Sequence, residues 1–151
     1  MTQATAAPTT PTTPPFKPAA ASLTETPSDY QAGVCNIGPA EIARRRRSGH
    51  IGLAATVGLF AVLVAIDAPP AARLLVALPA VISASGYIQA RYQFCAGFGS
   101  RGVYNFGEVG PMVEVVDQEA KARDRARARQ IGLAGAAIGI AVGVVAALLP
   151  I

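Results

Sequence analysis

The sequence predicts an all-α integral membrane protein with three transmembrane helices. Two spans form a hairpin, and a charged juxtamembrane helix precedes the third. Three apolar runs support this fold class, at residues 51–68, 74–90 and 131–151. Hydrophobic residues make up 52% of the chain and charged residues 15%, against about a quarter charged in a soluble domain. The basic residues also lie almost entirely on one side of the runs.

These basic residues predict the orientation. Arg44–Arg47 precede the first run, and a second group from Arg91 to Arg129 separates the second run from the third. Only Arg73 lies in the connection between the first two runs. Short loops rich in Lys and Arg stay on the cytoplasmic side during insertion. We therefore expect a multi-pass protein of the plasma membrane, with its N-terminus cytoplasmic and its C-terminus external.

Residues 1–33 are predicted to form a disordered tail rich in Thr, Pro and Ala. They hold six of the twelve prolines and too few large apolar residues to offset the entropy of ordering. Residues 34–50 follow as an interfacial basic segment. Pro39 suits a first helical turn, and Glu41 complements the positive end of the helix dipole. The sequence leaves open whether this short helix continues into the first span.

Residues 51–90 are predicted to form a transmembrane hairpin with spans 51–68 and 74–90. Eighteen residues at 1.5 Å each reach about 27 Å, close to the hydrocarbon thickness of a bilayer. Pro69 and Pro70 end the first span, because proline lacks a backbone donor. The second span contains polar side chains that we expect to face a neighbouring helix, at Ser83, Ser85, Tyr87 and Gln89.

Residues 91–112 are predicted to be an interfacial loop. Tyr87 to Phe106 hold six of the nine aromatic residues, with glycines between them, and aromatic rings favour the headgroup level. Residues 113–130 then form a predicted charged amphipathic helix opened by Pro111. The pairs Asp117/Lys121 and Glu119/Arg123 support it, at about 0.2–0.5 kcal/mol each.

Nine basic residues are predicted to contact the headgroups of anionic lipid in the inner leaflet, at about 1 kcal/mol each. They are Arg44, Arg45, Arg46, Arg47, Lys121, Arg123, Arg125, Arg127 and Arg129. The last five recur at every second position, which spreads them over two faces of a helix. No nucleic-acid-binding motif accompanies them, so nucleic acid is not an expected partner.

The third span, residues 131–151, has glycines at four-residue spacing: Gly135, Gly139 and Gly143. This spacing makes a smooth face that favours close helix packing. The face could pack on the hairpin of the same chain, which we favour, or on a second copy. A homo-oligomer or another membrane protein is therefore a possible partner.

The sequence predicts no catalytic, cofactor-binding or metal-binding residue. The spans carry no ionisable residue in their interiors, and His50 is the one histidine. Cys35 and Cys95 are expected on the cytoplasmic side, each just outside a span. The favoured interpretation is two reduced thiols in a reducing compartment. The alternative is a redox or sulfur-handling pair whose neighbouring arginines favour the thiolate; a metal site would need two further thiolates.

Residues 47–106 contain Gly86-Tyr87 and the stretch Phe94-Cys95-Ala96-Gly97-Phe98, followed by Asn105. This block resembles the small two-span membrane hairpin associated with bacterial inner-membrane rhodaneses. The resemblance implies a self-associating helical hairpin and, by analogy, a link to sulfur metabolism. The chain departs from that family at Ala96, where glycine is usual, and by its third span. Its residue usage is similar to that of proteins from high-GC bacteria such as actinobacteria.

Together these features favour a non-catalytic accessory or scaffold protein rather than an enzyme. It would pack against partner helices and hold anionic lipid of the inner leaflet. A membrane thiol protein that uses Cys35 and Cys95 is the alternative. A subunit of an oligomeric channel for small solutes is a third hypothesis.

Overall fold

The computed structural model describes residues 29–150, so Ile151 and the first 28 residues of the predicted tail lie outside it. The described chain is mostly helical. Its helices are α1 (Pro39–Ala65), α2 (Pro70–Arg73), α3 (Ala77–Arg91), α4 (Ala96–Arg101) and α5 (Gln118–Leu148), with a 3₁₀ turn at Leu74–Val76. Two short strands, β1 (Val103–Tyr104) and β2 (Val113–Glu114), pair antiparallel.

Three helical segments are long and apolar enough to cross a membrane. They are Pro39–Ala65, Pro70–Arg91 and Gln118–Leu148. The middle segment joins α2, the 3₁₀ turn and α3. The three long apolar helices expected from the sequence are therefore present.

The charged helix predicted at 113–130 begins later than expected. Val113 and Glu114 form β2, and the side chain of Asp117 caps α5 by accepting the backbone N–H groups of Glu119 and Ala120. This capping bond satisfies donors that the helix itself leaves unpaired. The helix then runs without interruption to Leu148, so the charged segment and the third apolar run are one helix.

Two other segments are more ordered than expected. Residues 39–50 of the interfacial segment and residues 51–65 of the first apolar run form the single helix α1, with Pro39 in its first turn. Residues 91–112 are not only a loop, because they contain α4 and β1. Gly102 ends α4 in the left-handed conformation, at φ +70°, which glycine adopts without steric cost.

The central helix α3 packs against α1 through small residues. A Cβ on Gly86 would lie 2.6 Å from the backbone nitrogen of Gly49, and one on Gly52 would lie 2.6 Å from that of Ser83. The Ser83 hydroxyl donates to the carbonyl of Gly49 at 3.0 Å. The polar side chain of Ser83 therefore faces the neighbouring helix, as the sequence predicts.

The opposite side of α3 packs against α5. Gly135 lies against Ser85, Gly139 against the backbone of Val81, and Gly143 against Ala77. All three glycines are buried. The smooth face of α5 is thus occupied by a helix of the same chain.

Arg73 stabilises the end of the bundle where α1 and α5 terminate. Its side chain is buried there. Its Nε donates to the carbonyl of Ala68 at 3.2 Å, and its Nη1 to that of Leu149 at 3.1 Å. Both carbonyls lie just past a helix C-terminus, where positive charge is favourable. The isolated basic residue between the first two runs is thus a structural cap.

The outward faces of the long helices carry large apolar side chains that nothing in the described chain covers. Leu133 is 72% exposed and Leu78 is 67% exposed. Others are Ile51, Leu53, Val57, Val62, Ile82, Ile138, Ile140, Val145 and Leu148. A soluble monomer rarely exposes a contiguous apolar surface of this kind.

Candidate functional site

The end of the bundle opposite Arg73 carries most of the charge and polarity, and we call it the polar end. It consists of residues 29–38, the first turns of α1, the segment from α4 to β2, and the charged part of α5. Because α1 and α5 both begin here, their basic residues lie at the same end. This polar end is the candidate functional site.

The structure divides the nine basic residues predicted to contact lipid. Arg44 and Arg45 lie 3.4 Å and 3.5 Å from the carboxylate of Glu41, which is 1% exposed. A buried carboxylate needs such partners because an unpaired charge is costly to bury. These two arginines therefore stabilise the start of α1 in addition to any contact with lipid.

Lys121 and Arg123 are also paired. Lys121 bonds Glu114 at 2.7 Å, which lowers the pKa of that carboxyl through the hydrogen bond and the lysine charge. Arg123 bonds Glu119 at 3.2 Å, as the predicted pair requires. Lys121 does not pair with Asp117 as predicted, because the Asp117 carboxylate caps α5.

Arg127 lies with its guanidinium 4.6 Å from the centre of the Tyr92 ring and donates to Gln130. The remaining four basic residues are exposed: Arg46, Arg47, Arg125 and Arg129. Within residues 29–150, none of these four has a carboxylate within 4.0 Å. They are the positive charges most available to an external anion.

A buried carboxylate ties the first described residues to α5. Asp124 is fully buried and accepts the Tyr30 hydroxyl at 2.9 Å and the backbone N–H of Gly33 at 2.7 Å. Burial and the bond to Asp124 raise the pKa of Tyr30. The Asp124 carboxylate and the stacking of Tyr30 on Tyr104 hold residues 29–33 against the polar end. These residues are therefore folded, whereas the sequence predicts them to be part of the disordered tail.

Asn36 brings the two cysteine-containing segments together. Its side chain is fully buried, accepts the backbone N–H of Cys95 at 2.7 Å and donates to the carbonyl of Cys95 at 3.2 Å. The backbone carbonyl of Asn36 also accepts the backbone N–H of Asn105. The segments of Cys35 and Cys95 thus meet although 60 residues separate them in sequence.

The two thiols themselves have different surroundings, and neither is in a disulfide. Cys95 is 2% exposed, and its sulfur caps α4 by accepting the N–H of Phe98 at 3.4 Å. Cys35 is half-buried beside Gln93, and burial raises the pKa of its thiol. No arginine is among the causes of this shift, so the pKa of Cys35 gives no support to the redox or sulfur-handling alternative.

Two open clefts lie at the polar end. One, of about 420 Å³, borders Cys35 and is lined by apolar side chains such as Ile42 and Phe106 together with polar ones such as Gln31 and Gln93. The other, of about 350 Å³, lies between α4 and α5 and is lined by Ala96, Ser100, Arg125, Ala128 and Arg129. Both volumes fall within the range of small-molecule sites, about 300–1,000 Å³.

His50 lies near the polar end but makes a structural contact. Its Nδ1 is 2.6 Å from the Tyr87 hydroxyl on α3, so this bond joins α1 to α3. Within residues 29–150, no three His, Cys, Asp or Glu side chains are grouped so that they could hold a metal ion.

Comparison with models of known protein families, with curated proteins and with solved structures finds no match to this chain. The fold and the polar end are therefore the basis for a functional proposal. The class they define is a mostly helical protein with three long apolar helical segments, apolar outer faces and one charged end.

Proposed function

We propose that the protein is a small multi-pass integral membrane protein that acts as a non-catalytic scaffold. Its three apolar helices cross the bilayer, and its polar end lies at the cytoplasmic surface. There the polar end binds anionic lipid of the inner leaflet and provides a folded surface for partner proteins.

The observation that carries this proposal is the division of the molecular surface. Large apolar side chains cover the outer faces of the long helices, and the unpaired arginines are confined to one end. Apolar surface is stable against lipid, whereas basic side chains at the boundary are attracted to anionic headgroups at about 1 kcal/mol each. This distribution of arginines also agrees with the rule that basic loops remain cytoplasmic.

The packing within the bundle limits how a partner would bind. The glycine face of α5 is occupied by α3, so a partner helix or second copy would have to contact another face. The polar end offers one such surface, because α4 and residues 29–38 pack beside the charged part of α5 and not between the apolar helices. This arrangement supports a scaffold whose specific contacts lie at the membrane surface.

The alternative hypotheses receive less support from the geometry. Thiol chemistry would require an accessible thiolate, whereas Cys95 is buried and burial raises the pKa of Cys35. A channel for small solutes would need several copies, because glycine contacts close the space between α3 and its neighbours.

Membrane fractionation of cells that express the full chain tests the proposal. The protein should stay in the membrane fraction after alkaline carbonate and high salt, and should dissolve in mild detergent. Release by carbonate alone would contradict the proposal, since it would mean that the apolar faces are covered by protein rather than by lipid.

A further inference from the structure

The cleft between α4 and α5 has a composition suited to one kind of ligand. Arg125 and Arg129 contribute positive charge, Ser100 contributes a hydroxyl, and Ala96 and Ala128 form a small apolar floor. Behind this floor, Ala128 packs with the buried side chains of Phe94 and Ile131. The cleft therefore has a packed base and a cationic rim.

The two arginines are positioned to bind one anion together. They are four residues apart on α5, a spacing that places their Cβ atoms about 5–6 Å from each other. Like charges at this spacing repel, and no carboxylate of the described chain lies between them. The Nε of Arg129 donates weakly to the carbonyl of Arg125 at 3.5 Å, which leaves the terminal nitrogens of both side chains available.

The neighbouring basic residues on α5 contrast with this pair. Lys121 and Arg123 each have a glutamate partner, and Arg127 stacks on Tyr92. Among the basic side chains of α5, only the two that line the cleft lack a carboxylate or aromatic partner within residues 29–150. An external anion would supply the missing charge.

The depth of the cleft matches the lipid headgroup layer. Arg129 and Arg125 precede Ile131, where the third apolar run begins, by two and six residues, or about 3 Å and 9 Å along the helix axis. The headgroup layer on each side of a bilayer is about 5–8 Å thick. The arginines therefore bracket the level at which lipid phosphates lie.

We propose that this cleft is a specific site for the phosphate of an anionic phospholipid headgroup. Guanidinium groups bind phosphate oxygens through paired hydrogen bonds. Ser100 can add a further donor, because its hydroxyl, now bonded to the carbonyl of Gly97, can rotate. The net positive rim disfavours headgroups that also carry an ammonium group. This site rests on the proposed membrane function and gives it a defined lipid ligand.

The test uses the purified full chain in a non-ionic detergent. Binding of dioctanoyl phosphatidylglycerol, dioctanoyl phosphatidylcholine and inorganic phosphate is measured by titration calorimetry. We expect saturable binding of phosphatidylglycerol to one site, and at least about tenfold weaker binding of the other two, because only an anionic lipid supplies both charge and apolar contact. Binding of inorganic phosphate as tight as that of phosphatidylglycerol would overturn the assignment to lipid.

Two variants distinguish binding in the cleft from diffuse attraction between the basic protein and the anionic lipid. R125Q/R129Q should weaken binding of phosphatidylglycerol by at least about tenfold. The matched control R91Q/R101Q removes the same charge from exposed positions that neither line the cleft nor belong to the predicted lipid contacts, and it should change binding by less than about twofold. Equal losses in both variants would overturn the site in favour of diffuse attraction.

A third variant preserves the charge and should preserve the fold. R125K/R129K should weaken binding by at least about threefold, because an ammonium group cannot form the paired bonds of a guanidinium. Binding equal to that of the unmodified chain would overturn the geometric proposal. Membrane fractionation distinguishes the two claims: the site can fail while the chain remains carbonate-resistant, whereas release by carbonate means that the membrane function itself fails.

Discussion

Asp124 anchors the first described residues to α5, because it is fully buried and accepts hydrogen bonds from Tyr30 and Gly33. The charge pattern of the helix does not distinguish it from its charged neighbours. A signal for it does exist in the sequence. Spacings of four, four, three and four place Ala120, Asp124, Ala128, Ile131 and Gly135 on one helix face, and all five are buried.

Cys35 and Cys95 should react with maleimide at very different rates in the folded protein. The thiolate is the reactive form, and burial raises the pKa of Cys35. Less of its thiolate exists at neutral pH, so Cys35 should react more slowly than free cysteine, and its rate should still increase where that of free cysteine levels off. Cys95, at 2% exposure, should react only after unfolding. Mass spectrometry of the detergent-solubilised protein at several pH values measures both rates.

The variant Cys35→Ser controls for that experiment, because it should abolish all labelling of the folded chain. Two results would contradict the account. One is modification of Cys95 as fast as that of Cys35. The other is a Cys35 thiol that reacts faster than free cysteine at pH 7, which would favour the thiol hypothesis.

At the scale of elements, glycine substitutions should separate packed helix faces from lipid-facing ones. Gly86→Ala and Gly139→Ala place a methyl group against the backbone of Gly49 and of Val81. Each should lower the free energy of unfolding by about 1–3 kcal/mol through overpacking. The melting temperature of the helical circular-dichroism signal in detergent measures this effect.

Matched controls exist on α1 and α5, the two helices that pack against α3. A Cβ on Gly58 or Gly132 would meet nothing within 4 Å. Alanine at either position should therefore leave stability unchanged or raise it by up to about 1 kcal/mol, because alanine favours the helix. Loss of stability in these controls equal to that of the packed positions would contradict the helix arrangement.

The long helices were predictable because hydropathy and length identify them without knowledge of their partners. Their ends were less predictable. At the start of α5 the sequence offers Lys121 as the partner of Asp117, whereas in the structure Asp117 caps the helix and Lys121 bonds Glu114 on β2. Strands of two residues, such as β1 and β2, carry too little periodicity for a sequence pattern to detect.

At the scale of the whole molecule, the sequence predicts which basic residues lie at the polar end, but it does not predict how all of them are paired. The charge asymmetry indicated where the basic residues lie, and it implied that all nine act alike. The structure separates the paired Arg44, Arg45, Lys121 and Arg123 from the free Arg125 and Arg129. Of the four paired residues, only Lys121 owes its partner to tertiary structure, through Glu114 on β2, because the other pairs lie three or four residues apart on one helix.

The central claim is that the long helices cross the bilayer with the polar end in the cytoplasm. Single cysteines introduced into the C35S/C95S chain test it most directly. Glu108→Cys marks the polar end and Ala71→Cys the opposite end, and both positions are exposed. The measurement is labelling by a membrane-impermeant maleimide in intact and in permeabilised cells.

The account predicts that the A71C chain is labelled in intact cells and that the E108C chain is labelled only after permeabilisation. Labelling of both positions in intact cells, or of neither, would mean that the two ends lie on the same side of the membrane. The reverse pattern would mean that the arginines face outward, and either result would contradict the proposed function.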